Sequence, residues 1–125
     1  MPRFTTTQRR TLWGARMLLA LVFGVAGAAK LAGTPQMVAM FDAINWGHWF
    51  RYLTGSVEIL GAVMLLIPAT SFAALLLLGG TMVGALLAHL LAVPGSPIPA
   101  IVLGGLCAGM AWVLRPRLFR DRVRR

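Results

Sequence analysis

Four apolar runs divide the chain, at about residues 12–31, 51–67, 72–93 and 99–114, and each is closed by a helix breaker or by arginine. Ala32-Gly33-Thr34-Pro35 ends the first, Pro68 the second and Pro94-Gly95-Ser96-Pro97 the third; Arg115-Pro116-Arg117 follows the fourth. Glycine and proline together are strong punctuation. A helix needs roughly 20 mostly apolar residues to span a bilayer, so the pattern predicts four spanning helices. Between the first two runs, Met37, Val38, Met40, Phe41 and Ile44 recur at helical spacing in a stretch too polar to span. A short interfacial helix over 36–50 is expected there, with Trp46, Trp49 and Tyr52 forming an aromatic belt at the membrane–water boundary. Asp42, His48 and Trp49 are expected to be solvated. The predicted fold class is therefore all-α: a polytopic membrane protein, a four-transmembrane-helix bundle filling residues 1–125 as one domain.

Composition sharpens this picture. The 125 residues are 58% hydrophobic and only 12% charged, against about 25% charged in soluble domains, and residues 59–114 carry no formal charge. Ala26-Gly27-Ala28 has the form of a signal-peptidase site, but the run from Leu12 to Leu31 is long enough to span, so a retained first helix is expected. The net charge is +9. Apart from Arg51, its arginines cluster at the two ends, Arg3, Arg9, Arg10 and Arg16 at the front around the basic tail 1–11 and the others in the basic tail 115–125, rather than along a groove. Such clusters mark the cytoplasmic side and meet anionic lipid, so the lipid bilayer, and not nucleic acid, is the partner they imply. Both termini are then cytoplasmic in a bacterial inner membrane. The turn at 68–71 is inside, and the 33–50 segment and the 94–97 turn are outside.

Small residues mark close helix approach in lipid. Ala20-x-x-x-Gly24-x-x-x-Ala28, Gly80-x-x-x-Gly84-x-x-x-Ala88 and Gly105-x-x-x-Gly109 are the candidate contact faces. The lone cysteine, Cys107, excludes an intramolecular disulfide and a C-x-x-C pair, and two histidines give no metal constellation.

Charges inside a bilayer are costly and so are functional candidates by default. Four residues qualify: Lys30, Arg51, Glu58 and His89. At about 1.5 Å per residue, Glu58 lies roughly 10 Å below Arg51, while Lys30 and His89 lie about 25 Å above the cytoplasmic ends of their helices. Helical side chains lean toward their own N-terminus. Lys30 and His89, on outward-running helices, therefore lean inward, and Glu58, on an inward-running one, leans outward. All three converge on one pocket in the outer half, with Arg51 on the face of Glu58. Either Lys30 or His89 could neutralise the carboxylate.

The segments Phe23-Gly24-x-x-Gly27-x-x-Lys30-Leu31, Leu53-Thr54-Gly55-x-x-Glu58-Ile59-Leu60-Gly61 and Leu65-Leu66-Ile67-Pro68, with His89, resemble the DoxX family of bacterial membrane proteins. The resemblance covers the first three spans and the interfacial segment. It implies a four-helix protein whose polar positions are Lys30, Glu58 and His89. It also implies a link to membrane oxidoreductase complexes, since some members act in oxidative sulfur metabolism, a thiosulfate:quinone oxidoreductase among them. No self-contained catalytic motif or intrinsic cofactor is present, so a redox role would need a quinone or oxidoreductase partner proteins. The leading expectation is a non-catalytic or quinone-interacting subunit, with Lys30, Glu58 and His89 at the polar end of an apolar pocket. A small proton-coupled exporter and a structural scaffold are the alternatives. A homo-oligomer is left open under every one of these readings.

Overall fold

The computed structural model describes residues 4–115; the arginines at 3, 117, 120, 122, 124 and 125 lie outside them. Five α-helices make up the described chain, with no strand among them: α1 (Thr6–Ala32), α2 (Pro35–Ile44), α3 (His48–Leu66), α4 (Ser71–Leu91) and α5 (Ile98–Leu114). A 3₁₀ turn, Pro68–Thr70, joins α3 to α4. The segments Thr6–Ala32, His48–Leu66 and Pro68–Leu91 are each long and apolar enough to cross a membrane. At 17 residues, α5 is at the short end of the spanning range.

Local chemistry sets the boundaries and moves several of them. The first helix begins six residues before the apolar run, because Thr5 and Gln8 form a reciprocal cap. Gln8 N donates to Thr5 Oγ1 at 3.1 Å and Thr5 N donates to Gln8 Oε1 at 3.0 Å. Its other end closes on Gly33, whose φ of 71° is a left-handed cap conformation that favours glycine. The interfacial helix is shorter than expected and stops at Ile44, since Asn45 adopts the left-handed region and Gly47 follows at φ 98°. His48, Trp49 and Phe50 therefore belong to α3. After α3, Thr70 Oγ1 donates to the Met64 carbonyl at 2.7 Å and the buried Ser71 Oγ to that of Leu65 at 3.0 Å. These bonds satisfy carbonyls that a helix end leaves open, so two hydroxyls seal an uncharged turn. The fourth helix ends at Leu91, two residues early, and Val93 tucks back into the protein.

In the packing, α3 lies against α1, α2 and α4, and α5 lies against α4. A core of Leu19, Phe23, Leu65, Leu75, Leu78, Cys107 and Met110 joins α1, α3, α4 and α5 in one half of the bundle. The small-residue patterns do not supply the crossings. A Cβ on Gly24, Gly80, Gly84, Gly105 or Gly109 would meet nothing within 4 Å. The close approach is between Gly27 and Gly55, where a Cβ on Gly27 would lie 2.7 Å from the Gly55 carbonyl oxygen and one on Gly55 would lie 2.9 Å from that of Gly27. On the other side of α3, Gly61 admits the buried Leu78. Where helices are apolar all round, spacing reveals which residues share a face but not which face meets a neighbour.

Candidate functional site

The other half of the bundle is hollow. A cleft of about 900 Å³ lies between α3 and α4 and is covered by α2, with the end of α1 at one wall. Its walls are mainly apolar, from Met40, Phe41, Ile44, Leu53, Val57, Leu77 and Met82 among others. Gly80 and Gly84 line it too, and their missing side chains leave it wide. The aromatic cover is tied together at Phe50, whose ring meets Phe41 edge-on at 5.7 Å, Trp46 at 4.9 Å and Trp49 at 5.6 Å. Phe41 is the buried anchor of α2, while Trp46, Trp49 and Tyr52 are outwardly exposed, as an interfacial belt requires. Asp42 and His48 are exposed as well.

Lys30, Thr54, Glu58, Thr81 and His89 bring polar groups to this cleft, with the Trp46 indole in its wall as well. Lys30 Nζ pairs with Glu58 Oε1 at 2.8 Å, and the two side chains are 12% and 1% exposed. Lys30, rather than His89, is thus the partner of the carboxylate. The Gly27–Gly55 crossing is what makes this pair. Gly27 precedes Lys30 by one helical turn and Gly55 precedes Glu58 by one, so close backbones put the two side chains face to face. The second carboxylate oxygen, Glu58 Oε2, is buried with no hydrogen-bond partner among the described residues. His89 lines the same cleft, but its Nδ1 bonds the Ala85 carbonyl of its own helix at 2.9 Å.

Arg51 departs from the expected arrangement. It is 5% exposed and is absent from the cleft wall. Its guanidinium instead donates to the backbone carbonyl of Lys30, packs beside Gly33 and lies 4.5 Å from the centre of the Tyr52 ring. Arg51 therefore caps the last turn of α1 from a neighbouring helix, where a cation also complements the helix dipole. It holds the backbone of Lys30 while Glu58 holds the side chain. The heptad spacing placed Arg51 and Glu58 on one face, but α1 ends between them, so the upper residue meets a helix terminus and the lower one a side chain. Arg51→Gln should lower the melting temperature of the detergent-solubilised protein and loosen α1, at a cost of about 1–3 kcal/mol for a charged hydrogen bond lost from a buried site. Hydrogen exchange at the Lys30–Gly33 amides reads the local effect.

A fifth ionisable side chain is buried that the sequence pattern did not single out. Arg16 was grouped with the tail arginines, yet it is buried within α1 and stacks on Trp13, 4.7 Å from the ring centre. Its position after the start of the apolar run was the available signal. Cys107 is fully buried in the core, and the described residues contain no cluster of potential metal ligands.

Three long apolar helices and an ion pair buried between two of them define an integral membrane protein of the helical-bundle class. A family model for the DoxX-like family matches residues 15–114, which takes in all the helices except the first turns of α1, and the chain belongs to that family. No curated protein and no solved structure matches it.

Proposed function

We propose that this protein is a quinone-interacting, non-catalytic subunit of a membrane redox assembly, and that the cleft is where the quinone sits. The observation that carries the reading is the cleft itself: an apolar cavity of about 900 Å³ with one buried ion pair. Ligand pockets of roughly 300–1,000 Å³, apolar with a few placed polar groups, suit amphiphilic small molecules. The orphaned Glu58 Oε2 is the observation that fits a ligand, because a buried acceptor without a partner is costly. A quinone when bound would supply two-electron, two-proton redox chemistry. The residues of this chain bind and orient it: Lys30 donates a hydrogen bond from its ammonium to a quinone oxygen, Glu58 Oε2 accepts one from a hydroxyl of the reduced form, and Phe41 of α2 with Trp46 and Phe50 excludes water.

The reading is tested by gentle purification from native membranes of wild type and Glu58→Gln, with mass spectrometry of co-purifying proteins and lipid-soluble molecules. Quinone or an oxidoreductase partner retained by wild type and lost from the variant is the expected result. Ligand-free, partner-free preparations of both would remove the proposal in favour of a scaffold held together by the ion pair.

Within this reading the chain crosses a bacterial inner membrane four times, with α5 as a short fourth span and both termini cytoplasmic. Arg115 supports the placement of the C-terminal end, since its guanidinium lies 3.9 Å over the Trp112 ring, an aromatic–basic pair typical of an interface. Single cysteines test the orientation, because Cys107 is buried and silent toward polar reagents. Ser96→Cys should react with a membrane-impermeant maleimide added to intact spheroplasts, and Ala69→Cys only after lysis. The opposite pattern would invert the protein, and outside labelling of both would exclude a span between them.

A further inference from the structure

Resting on the quinone reading of the cleft, the directions of the hydrogen bonds around it carry a further step. Thr54 Oγ1 donates its one proton to the Phe50 carbonyl at 2.8 Å, and Thr81 Oγ1 to the Leu77 carbonyl at 2.9 Å. A hydroxyl whose proton is used internally offers only lone pairs to anything else. His89 Nδ1 faces the Ala85 carbonyl at 2.9 Å, and a carbonyl only accepts, so the proton is on Nδ1. In the imidazole tautomer that carries its proton on Nδ1, Nε2 is an acceptor. Glu58 Oε2 is a buried acceptor with no partner among the described residues. Against these four acceptors stand two donors, the Lys30 ammonium, already engaged with Glu58 Oε1, and the indole N–H of Trp46, a largely exposed residue of the cleft wall.

We infer that the cleft selects a ligand bearing hydroxyl donors, and that it holds the hydroquinone in preference to the quinone. The two redox forms have nearly the same shape and apolar surface but differ in hydrogen bonding. A quinone carbonyl only accepts, so one can satisfy Lys30 and the other then faces oxygen or nitrogen lone pairs. A hydroquinone hydroxyl both accepts and donates. One such group accepts from Lys30 while donating to Glu58 Oε2, and the second donates to Thr81 Oγ1. The selectivity follows from helix chemistry: threonines that bond their own backbone have their direction fixed before a ligand arrives.

The test uses the full chain in lipid nanodiscs and a radiolabelled decyl-benzoquinone, either oxidised or held reduced with dithionite, with retention on empty nanodiscs subtracted. A hydrogen bond to a charged acceptor corresponds to roughly ten- to a hundredfold in affinity, so the reduced form should bind at least about tenfold more tightly. Thr81→Val keeps the side-chain shape and leaves the ion pair intact. It should weaken hydroquinone binding by about three- to tenfold, the effect of one neutral hydrogen bond, and leave quinone binding unchanged. Equal or tighter binding of the oxidised form would overturn the selectivity while leaving the cleft as a quinone site. Retention of neither form above empty nanodiscs would overturn both the selectivity and the quinone reading on which it rests.

Discussion

Replacing Lys30 with methionine should be more damaging than replacing Glu58 with leucine, and making both changes together should be nearly harmless. Glu58 is 1% exposed and its partner 12%, so each single change strands a charge, but the two are stranded differently. Lys30 is two residues from the end of α1. Without Glu58, its long side chain can extend past the helix end to the interface, as lysines near helix ends do. Glu58 has no such route. It lies in the middle of α3 on a short side chain, and Lys30→Met removes the cation paired with its carboxylate. Removing one partner of a buried pair costs about 3–5 kcal/mol, whereas replacing both with apolar residues of similar volume is often neutral or stabilising. Lys30→Met should therefore lose most of the folded material or melt far earlier, Glu58→Leu should fall by less, and the double variant should return to near wild-type stability. The four tryptophans report the transitions by intrinsic fluorescence in detergent. A double variant as unstable as Lys30→Met would mean that the pair is not what couples α1 to α3. The double variant also separates fold from function, since it should keep the bundle and lose ligand retention.

Gly27→Ala should destabilise the protein by about 1–3 kcal/mol, the usual range for overpacking a filled contact, whereas Gly84→Ala should have almost no effect on stability. The Cβ added to Gly27 would lie 2.7 Å from the Gly55 carbonyl oxygen and 2.8 Å from the side chain of Ile59. The first of these is backbone and cannot turn aside, so α1 and α3 must separate. That separation pulls Lys30 from Glu58, one turn further along each helix, so Gly27→Ala should also weaken ligand retention. At Gly84 the added methyl would meet nothing within 4 Å. It would instead project where the cleft wall is glycine, so its effect should fall on ligand affinity alone. Melting temperatures of the two variants, measured beside their ligand retention, check both statements. Comparable losses of stability would place the helix contact on the Gly80–Gly84 face instead.

Much of this protein was determined by sequence alone. The all-helical class, the apolar runs and the breakers between them follow from composition and periodicity, because a charge-free stretch from 59 to 114 has no soluble solution. The family resemblance was legible in the lysine and glutamate blocks. Lys30 and His89 could be placed at one level and Glu58 deeper, with all three side chains converging, because helical rise is constant and side chains lean toward the N-terminus. Only the tertiary structure decided which contacts those residues make. Periodicity cannot choose a face on a helix that is apolar all round, so the conspicuous Gly80–Gly84 pair went to a cavity wall and the less conspicuous Gly27 and Gly55 became the crossing. Nor can spacing show where a neighbouring helix ends, so Arg51 became a cap on α1 rather than a pocket residue. The choice of Lys30 over His89 as the partner of Glu58 had the same origin. It depended on the distance between two backbones, which hydrophobic pattern does not encode and which two facing glycines fix by allowing the helices to touch.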